Sequence, residues 1–337
     1  MVRLKDIAER ASVSVMTVSK ALRDEPDVSL ATKTRLKLLA QQMGYVPDST
    51  AQGLRTRTSK LFGLVISTLT DPIFSRVVLA IEERAHELGY DLLFMHTLNN
   101  VEREEASIRR LLSRRVDGIF VSPVYRIDPE ARIYNELQTR ATPTVLLGPP
   151  AKFCSQFTSV QVDDQAASQM ATQHLLQLGH KRIAFLSGPL AAPWAQERLE
   201  GYRRALREAN IDVDDKLIFQ AGTGVEDGSK AALQMLNESC DATAVQAVND
   251  LVAVGCADTL LNQGVRIPEQ VSVVGFGNIL TSEYFRVPMT TVRQPKFRLG
   301  AAAMDAMVAL LRSQPAPAKR LPAELIVRAS SGPPKAR

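Results

Sequence analysis

The chain has 337 residues, 45% of them hydrophobic and 23% charged, an ordinary folded composition with room for two or three domains of about 150 residues each. No apolar run approaches the roughly 18 residues needed to span a bilayer, and the polar opening MVRLKDIAER is unlike a secretory signal; Cys154, Cys240 and Cys256 are too few and too scattered for a disulfide framework or a zinc site. The formal charge of +5 is uneven, because residues 1–60 hold 11 Lys and Arg against 6 Asp and Glu while the rest is balanced at 30 against 30. A cytoplasmic protein with no membrane contact, metal or cofactor is expected, and its small basic head implies a polyanionic partner.

In the head, Leu4, Ile7, Ala8 and Ala11 follow the i, i+3, i+4, i+7 spacing of a helix that buries one face. After a short turn at Ser12 and Val13, Ser14 is placed to cap a second helix, VMTVSKAL. There Val18, Ala21 and Leu22 point inward, and Val15, Met16, Thr17, Ser19 and Lys20 point outward. A third helix starts from Ser29 with Leu36, Leu39, Ala40 and Met43 as its stripe, and Gly44 stops it before Tyr45, Val46 and Pro47. Two short helices joined by so tight a turn, with a third closing the bundle, read as helix-turn-helix. The next segment, DSTAQGLRTRTSK over 48–60, is polar with one bulky apolar residue, Leu54, and alone should be mostly disordered.

From residue 61 short apolar runs alternate with amphipathic helices. The runs are LFGLVIS, DLLFMHT, VDGIFVSP, PTVLLG, SVQVDD, KRIAFLSG, LIFQAG, AVQAVND, VSVVGFG, TTVRQP and ELIVRAS, and helical stretches such as 72–89 and 165–179 end at Gly89 and Gly179. This alternation implies parallel sheets with helices on both faces, and so many strands exceed one compact sheet, so two similar subdomains are expected. Ligands of open α/β sheets sit beyond the carboxyl ends of the strands. That rule draws Asp71, Phe74, Tyr125, Gly148 and Asp163 toward one cleft, together with Trp194, Arg198, Asn249, Asp250, Phe276 and Asn278. Carboxylates, an amide, an Arg and aromatic faces suit a small polyhydroxylated ligand, whose hydroxyls both donate and accept and whose ring can stack. Plain structural alternatives stand beside this: an ion pair for Arg198, capping of the helix beginning at Leu251 for Asn249 and Asp250, and core packing for the aromatics.

Catalysis is not favoured. LVISTLTDP lacks a glycine fingerprint, no GxxxxGK or GxSxG segment occurs, and His86, His96, His174 and His180 have no metal-binding spacing; His180, just before a strand, reads as structural.

The run LKDIAERASVSVMTVSKALRDEPDVSLATKTRLKLLAQQMGYVPDSTAQGLRT resembles the DNA-binding head of the lactose-repressor (LacI/GalR) family of bacterial transcription regulators. LGHKRIAFLSGP, VNDLVAVGC, VSVVGFGN and PMTTVRQP resemble that family's regulatory core in the same order. The resemblance implies an α/β protein with a three-helix helix-turn-helix head (1–47), a hinge helix or linker (48–60) and a two-subdomain periplasmic-binding-protein-like body with parallel sheets (61–330), followed by a tail (331–337). The N-subdomain would be 61–161 and 292–322, the C-subdomain 162–291 and 323–330. The resemblance further implies that Val15, Met16 and Lys20 read base edges, that Thr17, Ser19 and Ser29 hold phosphates, and that Ser14, Tyr45 and Arg55 belong to the same DNA-facing set. Leu54, with Ala51 on the same face, would wedge the minor groove open.

Function follows as an expectation: a sequence-specific regulator, a repressor rather than an enzyme, that binds double-stranded operator DNA of near-palindromic sequence as a homodimer in the bacterial nucleoid. A small molecule in the cleft, a sugar or sugar derivative, would control it, Arg198 and Asp250 being the main ligand positions; the alternative is a non-sugar metabolite or a protein corepressor. A periplasmic solute receptor would share the body without the basic head. Three positions depart from the family pattern: Ser12 stands where Gly is usual in the turn, Gly277 where an Asp is common, and Gly148-Pro149-Pro150 where many sugar-responsive members have a polar residue.

Overall fold

The structure, a computed structural model, describes residues 2–46 and 58–335. It divides into two compact units, one ending at Ser59 and the other beginning at Lys60.

The first unit holds α1 (Leu4–Ala11), α2 (Val15–Leu22) and α3 (Leu30–Gln42). Ser12 sits at φ 54° in the turn, a left-handed conformation that glycine adopts without strain and serine tolerates. Ser14 and Ser29 cap α2 and α3, their hydroxyls accepting from the N–H groups of Thr17 (3.0 Å) and Thr32 (3.3 Å). Ile7, Ala8, Val18, Ala21, Leu36 and Ala40 form the core, which is small enough that each of these side chains is felt in stability.

The second unit runs as β1 (Leu61–Ile66), α4 (Pro72–Glu87), β2 (Asp91–His96), α5 (Val101–Ser113), β3 (Gly118–Val121), α6 (Arg132–Thr139), β4 (Thr144–Leu147) and β5 (Thr158–Val162). It continues as α7 (Asp164–Gln177), β6 (Ile183–Ser187), α8 (Pro193–Glu208), β7 (Ile218–Gln220), α9 (Val225–Asn237), β8 (Ala244–Ala247), α10 (Asp250–Asn262), β9 (Ser272–Gly277) and α11 (Leu280–Tyr284). The last elements are β10 (Thr290–Arg293), α12 (Lys296–Leu311), β11 (Lys319–Leu321) and β12 (Glu324–Ile326).

These strands form two sheets of six, ordered β11-β5-β4-β3-β1-β2 and β12-β10-β9-β8-β6-β7, parallel throughout except for the antiparallel pair β10 and β12. Each sheet is covered on both faces, by the clusters around Phe62 and Ile108 in the first lobe and around Phe185 and Val245 in the second. Strands buried on both faces lack polar alternation, which is why they appear in the sequence as continuous apolar runs. The polar strand β11 is the exception and lies outside those runs; it is an edge strand held by pairing to β5. The chain passes between the lobes after β5, after β10 and after β11.

His180 ties the C-terminal segment to the second lobe. Its ring is buried, with Nδ1 at 2.8 Å from Thr243 Oγ1 and Nε2 at 2.9 Å from the Gly332 carbonyl oxygen. Burial holds its pKa below the ordinary imidazole value of 6.5. Below that pH the unfolded chain takes up a proton that the folded chain resists, so stability from this residue is lost as pH falls through and below 6.5. His180→Gln should therefore show a smaller denaturant-midpoint difference between pH 7.5 and pH 5 than the parent protein, and identical differences would remove His180 as the source.

Candidate DNA-reading helix and inter-lobe cavity

In the head, Val15 (44% exposed) and Met16 (67% exposed) stand outside the core, whereas Val18 is fully buried. Exposed apolar side chains at the start of a short basic helix are suited to contact with thymine methyl groups. Lys20 is ion-paired with Asp27, and Arg23 donates to the Ser19 hydroxyl. Asp27, beside the Lys20 ammonium, is held below the usual carboxylate range. Tyr45 is half-buried against the head core. Leu54 and Arg55 lie outside the described residues.

In the body a cavity of about 460 Å³ opens between the lobes at the carboxyl ends of both sheets. The first lobe contributes Asp71, Phe74 and Tyr125, and the second Trp194, Arg198, Asn249, Asp250 and Phe276. Two further expected residues do not line it. Asp163 turns away to cap α7, accepting from the Ala166 N–H at 3.2 Å, and the carboxylate facing the cavity is the next one, Asp164. The Asn278 Oδ1 is taken by Arg328 at 2.8 Å, and its backbone N–H donates to Thr291 Oγ1.

Arg198 projects from α8 and is buried. Its Nε donates to Asp164 Oδ1 at 2.8 Å and its Nη1 to the Val248 carbonyl at 2.6 Å. The guanidinium carbon lies 3.6 Å from the centre of the Phe276 ring and 4.8 Å from that of Trp194. Cation–π contact of this kind gains strength when the charge is desolvated. Burial raises the Asp164 pKa against the opposing pull of Arg198. The ion pair weighed from the sequence is thus present, and the same guanidinium forms part of the cavity wall.

Asn249 caps α10, its Oδ1 accepting from the Val252 N–H at 2.8 Å while its Nδ2 donates to the Thr223 carbonyl. Asp250 is buried and accepts from the Ile279 N–H at 2.9 Å and from the Ser282 and Thr291 hydroxyls at 2.6 Å each. Its pKa is nevertheless raised, because desolvation outweighs those bonds. Gly277, at φ 143°, leaves room for this carboxylate: a Cβ there would meet Ile73 and Asp250. Asp71 caps α4 through the Ile73 N–H, and its pKa too is raised by burial.

Tyr125 reaches across to pack on the second lobe's core, and its hydroxyl donates to the Pro149 carbonyl at 2.8 Å. At φ 128°, Gly148 brings the chain so close to that hydroxyl that a Cβ would crowd it. The Gly-Pro-Pro segment is therefore a seat for Tyr125.

Besides Asp164, two residues of this region are not among those the sequence points to. Glu104 is buried on α5, accepts from the Val124 N–H (2.7 Å) and the Tyr134 hydroxyl (2.8 Å), and pairs with Arg126, so it clamps the segment carrying Tyr125. Its helical phase with Ile108 and Leu111 was the available signal. Gln161 on β5 lines the cavity, and its Oε1 is buried without a hydrogen-bond partner among the described residues. The signal was a polar residue inside an apolar run.

Residues 3–48 match the family described as bacterial regulatory proteins, lacI family, and residues 172–331 match a periplasmic binding protein-like domain. The chain is 33% identical to the transcriptional repressor PurR of Vibrio atlanticus (strain LGP32), with 93% of each chain covered. The chain belongs to the LacI family. The regulator is also 31% identical to the repressor CytR of Escherichia coli (strain K12), covering 97% of this chain and 96% of the other.

Among solved structures, the Lac repressor dimer bound to operator and the anti-inducer ONPF matches with a TM-score of 0.87 at 28% identity, over 98% and 99% of the two chains. A CelR–cellobiose complex matches with a TM-score of 0.75 at 28% identity, over 98% and 100%. The regulator is therefore a DNA-binding transcriptional repressor and not an enzyme, with a helix-turn-helix head and a body of the periplasmic-binding-protein-like fold. No helix among the described residues is long and apolar enough to cross a membrane.

Removing one partner of the buried Arg198–Asp164 pair should lower the stability of the body by about 3–5 kcal/mol, whereas replacing both with apolar residues of similar volume should recover most of that loss. Denaturant unfolding of Arg198→Met, Asp164→Leu and the double variant checks this, and a double variant no more stable than either single one would show that the pair is not the dominant interaction.

Proposed function

We propose that the regulator binds a near-palindromic operator as a homodimer and that a small molecule lodged between the lobes of the body controls this binding. The observation that carries the proposal is the cavity at the carboxyl ends of both sheets, walled by both lobes, because a ligand there gains contacts that depend on how the lobes are set. The solved relatives support it: one is a repressor dimer on operator with an anti-inducer, another a complex with cellobiose. A sugar or sugar derivative is the proposed effector class, favoured by the aromatic faces of Phe74 and Trp194 and the hydroxyl-rich rim that includes Thr68, Thr70 and Ser122. The site of action is the bacterial cytoplasm, where the operator lies.

Within this reading the head is 1–47, the hinge 48–60 and the effector body 61–330, with 331–337 as a tail. Val15 and Met16 contact base methyl groups, and Lys20 exchanges Asp27 for a base or phosphate acceptor. Ser14, Thr17, Ser19, Ser29 and Tyr45 set the register on the backbone, Arg55 adds a phosphate contact and Leu54 wedges the minor groove. Asp71, Phe74, Tyr125, Trp194, Arg198, Asn249, Asp250 and Phe276 build the effector wall. Two linked heads are needed because one head of this size binds too loosely, and linkage raises effective concentration. Coupling between cavity and operator is expected at about 1–3 kcal/mol, or 5- to 150-fold in affinity.

Deleting residues 1–59 should abolish specific binding to genomic fragments in gel-shift titrations while leaving the body able to bind effector; retained specific binding would refute the assignment of the head. Leu54→Ala should weaken operator binding by about tenfold or more with effector affinity unchanged, as expected for a wedge that offsets base unstacking. Equal loss of both would refute that role.

A further inference from the structure

Side chains alternate along β5, so that Val160 and Val162 enter the apolar core while Ser159 and Gln161 face the other way. Gln161 is only 5% exposed, and its amide oxygen has no partner among the described residues although it borders the inter-lobe cavity. Buried polar groups in folded proteins are almost always hydrogen-bonded; the Thr158 and Ser159 hydroxyls of the same strand also have no partner among the described residues, but of the three only Gln161 lines the cavity, where a ligand can complete the bond.

The charged groups around it are already engaged. Arg198, the one cation among the described lining residues, is committed to Asp164 and the Val248 carbonyl. Asp250 is surrounded by three donors, and Asp71 caps a helix. The wall thus offers no unpaired cation to an anionic ligand, and its carboxylates would repel one. What it does offer is a carboxamide, an acceptor beside a donor, which matches a ligand edge carrying a donor beside an acceptor.

We infer that Gln161 is the specificity-determining side chain of this cavity and that it selects a ligand without negative charge that presents a hydroxyl or N–H group to it, such as a vicinal diol or a cyclic amide edge. The charged residues nearby act as scaffold. This rests on the cavity being the effector site. Neutral sugars fit the rule, whereas sugar acids and sugar phosphates do not.

The test uses the full chain and its Gln161→Met and Trp194→Ala variants. Thermal unfolding without additive comes first: Gln161→Met, which removes the unpartnered amide at similar length, should unfold at the same or a higher temperature, and a lower one would overturn the inference by showing a structural partner. Calorimetric titration with glucose, cellobiose, gluconate and glucose 6-phosphate follows. The uncharged probes should bind at least tenfold more tightly than their charged analogues, and Gln161→Met should weaken them tenfold or more. A charged analogue that binds as tightly as its neutral parent, or unchanged binding in Gln161→Met, would overturn it. If Trp194→Ala also leaves probe binding unchanged, the cavity reading falls as well; if only Gln161→Met does, this inference falls alone.

Discussion

A guanidinium taken out of water must find its counter-charge and its hydrogen bonds inside the protein, and the burial of Arg198 places that demand on several segments together. Asp164 has to stand in the first turn of α7, β8 has to lead the chain to where the Val248 carbonyl is presented, and Phe276 and Trp194 have to lie near the faces of the cation. The Ser168 hydroxyl adds a bond to the Arg198 carbonyl, fixing α7 against α8. One side of the cavity is consequently held in place by the protein's own contacts.

The opposite side is fixed by different means. Glu104 clamps the segment bearing Tyr125, and Tyr125 in turn leans on the other lobe. Besides Tyr125, polar bonds tie the lobes together among the described residues. Lys296 at the start of α12 donates to the carbonyls of Gly277 and Asn278, and Arg320 on β11 pairs with Glu197 on α8. Burial lowers the Lys296 pKa while Asp250 and Asp71 act against that shift. Rigid walls joined by a few polar bonds and three chain crossings are what hinge or shear movement needs, because such bonds can be exchanged at little cost while the packed cores stay intact.

Much of this could be read from the residues. Ser14 and Ser29 marked helix starts, Gly89 and Gly179 marked helix ends, and the apolar runs gave eleven of the twelve strands. The missing one, Lys319–Leu321, has one apolar residue in three and so no apolar signature; its pairing with β5 is what makes it a strand. The choice between Asp163 and Asp164 was illegible for a related reason: adjacent acidic residues at a helix start exchange the capping and inward roles with a small change in where the helix begins. Asn278 failed because the strand-end rule gives a neighbourhood and not a direction; at φ 49° the chain turns its side chain toward Arg328. Gly148 and Gly277 could be seen as departures from a family pattern, but only coordinates show that one seats a tyrosine hydroxyl and the other makes room for a carboxylate.

Both sheets receive their final strands from one short stretch, β11 and β12, separated by two residues. During vectorial synthesis neither lobe can close its edge until residues 319–326 have emerged, long after the helical head is outside the ribosome. Nascent chains of this protein therefore pass through a period in which the helical head has been synthesised and the two sheets of the body are not yet complete. Premature termination in that window would yield products that carry the head and lack the edge strands of both body sheets.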